Sequence, residues 1–201
     1  SILHAYLGLF YGSHRRPAEA LEYARKATEL DPQAALIRGI NALSLQCVGI
    51  YDEAMREADC ALTLQPNHVL GLWAKMLAAC HAGQYPLSIE LGERLCAITR
   101  RAAVYLGLLG MAYAKAGQPE KAHTMRDELT LRKETGEFVG PIAFLAIDYA
   151  VGDMQAARAD LEAYEGDAGN GWGMVVMLGS YVDEVAADPL CADLMPTLLG
   201  A

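Results

Sequence analysis

Residues 4–32 read HAYLGLFYGSHRRPAEALEYARKATELDP. Two apolar runs of helical period flank the polar break His14–Arg16. Leu3, Leu7, Phe10 and Tyr11 share one helical face before the break. Leu21, Ala24, Ala27 and Leu30 share one after it. Pro17 stands where the second helix should begin, a position at which a missing N–H costs little. Pro32 stands just beyond its expected end. Working outward, the same landmarks return every 34 residues. Ala20, Ala54, Ser88 and Ala122 keep that step, as do Arg15, Gly49, Gly83 and Gly117. So do Tyr11, Leu45, Ala79 and Tyr113, and so do Ala27, Ala61, Leu95 and Leu129. A fixed period of this length predicts a stack of helix pairs, each too small to bury its own apolar face, sharing one continuous core. Small residues such as Gly8 and Ala42 on the first helix, and Ala20 and Ala54 on the second, are expected where helix backbones approach closely.

Leu7, Gly8, Tyr11, Ala20, Ala24, Ala27 and Pro32 resemble the tetratricopeptide (TPR) pattern, W-x2-L-G-x2-Y, then A-x3-F, then P. His4 stands where that pattern has Trp, and Ala24 where it has Phe. The units run 1–34, 35–68, 69–102 and 103–136. A weaker fifth, 138–166, aligns Gly152, Ala157 and Leu161 after one inserted residue. The third unit has Ser88 for Ala and Arg100 for Pro. The resemblance implies an all-α fold: a right-handed α-α superhelix, or TPR solenoid, of about five helix pairs. A C-terminal capping segment over 167–201 would follow, with a glycine-rich loop at Asp167–Gly173 and a helix at Leu190–Leu199. Asp188 and Pro189 would start that helix.

The formal net charge is −9, unevenly spread. Residues 134–201 carry twelve acids and a single base, Arg158, whereas residues 1–133 hold 15 bases and 13 acids. An acidic end argues against a grip on nucleic acid. It reads either as a solubilising cap or as a docking face for a basic partner. The longest uncharged run, Ala168–Val182, is 15 residues, short of the ~18 needed to cross a membrane. With no signal-peptide pattern either, a cytoplasmic protein is expected. The chain opens inside the first helix of a repeat and without Met, so a fragment of a longer chain is expected. The five cysteines show no CxxC and no zinc spacing, and read as small apolar packers in a reducing compartment.

In TPR arrays the first helix of each pair lines the concave surface, and the resemblance places positions 2, 5, 9, 12 and 13 of each unit there. The residues that would carry a peptide-binding groove are Leu9, Leu36, Leu43, Leu70, Trp73, Leu77, His81, Val104, Met111 and Lys115. Between them lie small residues, Ala5, Gly39 and Gly107, which would leave pockets. Only Lys115 is charged. Such a lining suits a peptide or an amphipathic helix with an apolar face, with Trp73 as anchor. The alternative occupant is the chain's own C-terminal helix, an upstream part, or a second copy in a homodimer. The carboxylate clamp of chaperone-binding TPR domains is missing: its positions hold Ala5, Leu9 and Ile40, or Gly39, Leu43 and Lys75.

The C-terminal run ADPLCADLMPTLLG is similar to the ends of TPR regions in bacterial adenylate cyclases and winged-helix transcription activators, through Asp188, Pro189, Leu194 and Gly200. That likeness implies a regulatory region of a larger signalling protein. The residues show no catalytic constellation, metal set or cofactor motif. The histidines are scattered, Cys80 and His81 point about 100° apart on a helix, and Gly107–Gly110 reads as helix packing. A scaffold for protein binding, and not an enzyme, is expected.

Overall fold

Each 34-residue unit folds as two helices joined by a tight turn. The computed structural model describes residues 1–166, 171–179 and 181–196. Along the chain run α1 (Ile2–Ser13), α2 (Pro17–Leu30), α3 (Ala35–Cys47), α4 (Tyr51–Leu64), α5 (Val69–His81) and α6 (Tyr85–Ile98). Then come α7 (Ala103–Lys115), α8 (Pro119–Glu134), α9 (Pro141–Val151), α10 (Met154–Gly166), α11 (Gly171–Leu178) and α12 (Tyr181–Ala187). Among the described residues there is no strand, and no helix is long and apolar enough to cross a membrane. The chain forms two compact units, Ser1–Leu91 and Gly92–Ala201.

The turn inside each pair explains one row of the 34-residue step. Gly49, Gly83 and Gly117 have φ of +77°, +73° and +72°, and Arg15 has +59°. A left-handed residue must follow the first helix before the second can start. Glycine adopts that conformation freely, whereas an L side chain is strained by about 1–2 kcal/mol. Gly152, at φ +87°, shows that the inserted residue of the fifth unit precedes its turn. Pro17 and Pro119 occupy the first helical positions of α2 and α8.

In the first unit, Ala20, Ala24 and Ala27 of α2 and Ala54, Ala58 and Ala61 of α4 are all buried. With Leu45 and Ala78 they let neighbouring helices close on one another. Two polar side chains tie α3 back to the first pair. Asn41 Nδ2 donates to the Ala24 carbonyl at 2.8 Å, and Ser44 Oγ to the Gly8 carbonyl at 2.6 Å. In the second unit α9 lies on α7. A Cβ at Gly107 would stand 2.4 Å from the Ala143 carbonyl oxygen, so only glycine admits the two backbones at that distance. The Gly107–Gly110 stretch is therefore helix packing.

The C-terminal end departs from expectation in two places. Residues 171–173, read as part of a glycine-rich loop, begin α11 instead; residues 167–170 lie outside the described residues. The helix expected over Leu190–Leu199 does not form across Leu190–Leu194, where the chain makes turns. Cys191 N–H bonds the Asp188 carbonyl at 3.0 Å and Leu194 N–H bonds the Cys191 carbonyl at 3.1 Å, a tighter winding than an α-helix. Helical backbone returns only at Met195 and Pro196, where a missing N–H costs little because the first turn of a helix has no partner for it. Residues 197–201 lie outside the described residues. Asp188 Oδ1 accepts the Leu190 N–H at 2.9 Å, which closes a side-chain turn and does not cap a helix.

Candidate interaction surface

In the first unit, α1, α3 and α5 pack side by side. The lining positions on these helices divide into a floor and a ridge. The floor is buried: Ala5, Gly39 and Trp73 at position 5, and Leu9, Leu43 and Leu77 at position 9. The ridge is position 2, one turn towards the helix start. Ile2 is 41% and Leu36 47% exposed, and Leu70 is half-buried. The split follows from geometry. Positions 5 and 9 of α3 fall between helices on both sides, whereas position 2 sits in the first turn, beyond them. His81 is half-buried, its ring stacked on Tyr51 at 5.4 Å with 11° between the planes.

The pockets expected beside the small residues are filled by the chain itself. A Cβ at Gly39 would stand 2.5 Å from Cε1 of His68, so the space belongs to that ring. His68 caps α5, its Nδ1 accepting the Gly71 N–H at 3.2 Å, and burial lowers its pKa. Beside Gly107 the space is taken by the α9 backbone. Trp73 and Leu43 are thus part of the core and offer no surface as anchors.

In the second unit Val104 is half-buried and Met111 fully buried. Lys115, the one charge expected in the lining, is covered by the chain's own α12. Its Nζ lies 2.6 Å from Glu184 Oε2 and 4.7 Å from the centre of the Tyr181 ring. Tyr149, a lining position of the fifth unit, donates its hydroxyl to the Glu184 carbonyl at 2.8 Å and meets Tyr181 edge-on at 5.3 Å. Val182 and Val185 of α12 are buried, as are Met174, Val175 and Leu178 of α11.

Much of the acidic C-terminal charge is neutralised internally. Arg158 holds Asp193 through both Nη atoms at 2.7 and 2.8 Å, Glu162 at 3.0 Å, and the Leu190 carbonyl at 2.6 Å. The Arg158 guanidinium pulls the Asp193 carboxyl below its usual range. Arg132 approaches Glu137 at 3.5 Å. Arg126 on α8 grips Asp148 on α9, a carboxylate with 1% of its side chain exposed. Asp160 on α10 faces the same pair. Burial, the Asp148 charge and a side-chain hydrogen bond with Asp148 push its carboxyl up to about 8. Arg126, Thr130, Lys133, Glu134, Phe144 and Asp160 line a surface hollow of about 380 Å³. Sequence reading missed this cluster. The available signal was Asp148 itself, a lone acid within the apolar run PIAFLAIDYAV.

Cys47, Cys80, Cys96 and Cys191 are buried and Cys60 is exposed. Desolvation raises the Cys47 thiol to about 12 and the Cys96 thiol to about 11, which keeps both in the unreactive neutral form. Among the described residues no group of three or more His, Cys, Asp or Glu side chains is placed to hold a metal ion. No protein-family model and no curated protein matches the chain.

Proposed function

We propose that this chain is a protein-interaction scaffold of TPR-like helix hairpins, which lays a partner's peptide or amphipathic helix along the Ile2–Leu36–Leu70 ridge. The observation that carries the reading is the ridge itself. Three aliphatic side chains in one register, each 34 residues from the next, stay wholly or partly exposed above a buried floor. Single exposed leucines are ordinary. A row of them across adjacent helices offers the regularly spaced apolar contacts that a helix or extended segment can use. The 34-residue step supports the right-handed superhelix of the TPR family as the arrangement of the hairpins. The C-terminal likeness supports a setting in a cytoplasmic bacterial signalling or transcription-regulating protein.

The test is capture of partners from a lysate by the intact chain and by a Leu36→Glu, Leu70→Glu double variant of unchanged helicity. Loss of capture in the variant alone supports the ridge; equal capture rejects it. A second reading has one specific observation behind it: α12 occupies Lys115 and Tyr149, so part of the lining serves the chain's own C-terminal segment. Lys115→Glu should then increase capture by repelling Glu184.

A further inference from the structure

In the second unit a short helix of the chain itself lies on the lining positions Lys115 and Tyr149. This helix, α12, is seven residues long. A helix that short does not persist alone in water, so α12 keeps its form only while docked. Docking and folding are then a single event, and the segment opens as one unit. Tyr181, Val182 and Val185, all buried, hold it down.

The contacts between α12 and the lining form a recognition pattern. Tyr181, Glu184 and Val185 stand at i, i+3 and i+4, on one face of the helix. The Tyr181 ring meets Tyr149 edge-on and carries the Lys115 ammonium over its face at 4.7 Å. The Glu184 carboxylate takes Lys115 at 2.6 Å, the one charge among the groove residues. The Glu184 carbonyl, in the last turn of α12 where helical carbonyls run out of partners, accepts the Tyr149 hydroxyl at 2.8 Å. One aromatic ring, one acid and one open helix end are thus each met by a lining side chain. The ion pair lies at the edge, its side chains 27% and 46% exposed, where water competes for both charges. It selects an acid more than it fastens the helix.

We propose that α12 is the chain's own stand-in for a partner of the second unit: an acidic amphipathic helix with an aromatic residue at i, an acid at i+3 and an aliphatic residue at i+4, which displaces α12 from Lys115 and Tyr149. The proposal rests on the reading that part of the lining serves the C-terminal segment. Tethering favours α12, since a short link holds a segment at an effective concentration on the order of 1 mM. Preorganisation favours the partner. A longer helix is formed before it docks and escapes the ordering that α12 undergoes at each closure. The docked fraction of α12 lowers the partner's apparent affinity, so the strap gates the site.

The probe is a fluorescent synthetic helix of about 20 residues, long enough to be helical alone, ending in the α12 sequence YVDEVAA. Its binding is read by anisotropy, and the opening of α12 by hydrogen exchange. In the wild-type chain α12 amides should exchange faster than those of α9. Glu184→Lys, a change at an exposed residue, sets two ammonium groups together; α12 exchange should quicken, and the probe should bind about ten-fold tighter or more. Val185→Asp opens α12 from its buried side and leaves the lining intact, so it should do the same. Lys115→Glu also frees the lining but refuses the probe's acid, and should not bind it. A probe with Lys in place of its Glu should bind none of these chains. If α12 is protected as strongly as α9 in all of them, the segment is a fixed cap and the reading beneath the proposal fails. If α12 opens and the probe binds no tighter than to the wild type, or binds Lys115→Glu equally well, the proposal alone is overturned. Leu36 and Leu70 are untouched in these variants, so the outcome is independent of the ridge.

Discussion

Arg126 and Asp148 form a two-pronged ion pair between α8 and α9, Nη2 to Oδ2 at 2.9 Å and Nε to Oδ1, with the carboxylate almost fully buried. The guanidinium is one-third exposed, so water screens its side of the pair. Asp148 has no such access and depends on its partner. Arg126→Met should cost about 2–4 kcal/mol in urea unfolding, since an unpaired buried carboxylate is worse than none. The double variant Arg126→Met, Asp148→Leu should recover most of that loss.

Asp160 makes stability depend on pH. In the folded state its carboxyl titrates near 8, raised by burial and by the Asp148 charge, against an ordinary value of 3.8. Between these values the folded chain holds a proton that the unfolded chain has released, so unfolding free energy falls as pH rises. The contribution is complete below about pH 4 and gone above about pH 8. Asp160→Asn should flatten the stability profile across that window, as measured by urea midpoints at closely spaced pH. An unchanged slope would show that the proton sits elsewhere.

Two glycines should fail in different ways when given a methyl group. At Gly83, φ is +73° and nothing lies within 4 Å of where Cβ would stand. Gly83→Ala should cost about 1–2 kcal/mol, the backbone strain alone. At Gly107 the new Cβ would meet the Ala143 backbone at 2.4–2.9 Å, which no side-chain rotation relieves. Gly107→Ala should cost more than Gly83→Ala and lower protection from hydrogen exchange along α9, whereas Gly83→Ala should leave α9 untouched.

Thiol titration checks the burial of four cysteines at once, Cys47, Cys80 and Cys96 on helices and Cys191 in a turn. Ellman's reagent should modify Cys60 rapidly in the native chain and all five cysteines after denaturation. Fast native reaction at Cys47 or Cys96 would contradict the burial that raises their pKa values.

The helix pairs were legible because their limits rest on local chemistry. Gly49, Gly83 and Gly117 mark turns that need a left-handed residue, and Pro17 and Pro119 mark helix starts. These constraints act within a few residues, so sequence carries them directly. The candidate site was only half legible. Periodicity places Leu36 and Leu43 on one face but cannot say that the floor is sealed by neighbouring helices while the first turn protrudes. Gly39 shows the same limit: its smallness reads as space, and His68 from 29 positions on fills it. The α11–α12 pair was least legible. Its anchors, Tyr149 and Lys115, lie 35 and 69 residues from Glu184, so nothing local announces them.

The ridge is tested most directly by photocrosslinking. A benzophenone side chain is placed at Leu36, Leu70, or the exposed Leu131 of α8, and the chain is irradiated in a lysate of the organism that encodes it. A discrete crosslinked protein at Leu36 and Leu70, absent at Leu131, is the result expected. Equal crosslinking at all three positions, or a product at Leu131 alone, would contradict a partner lying along Ile2, Leu36 and Leu70.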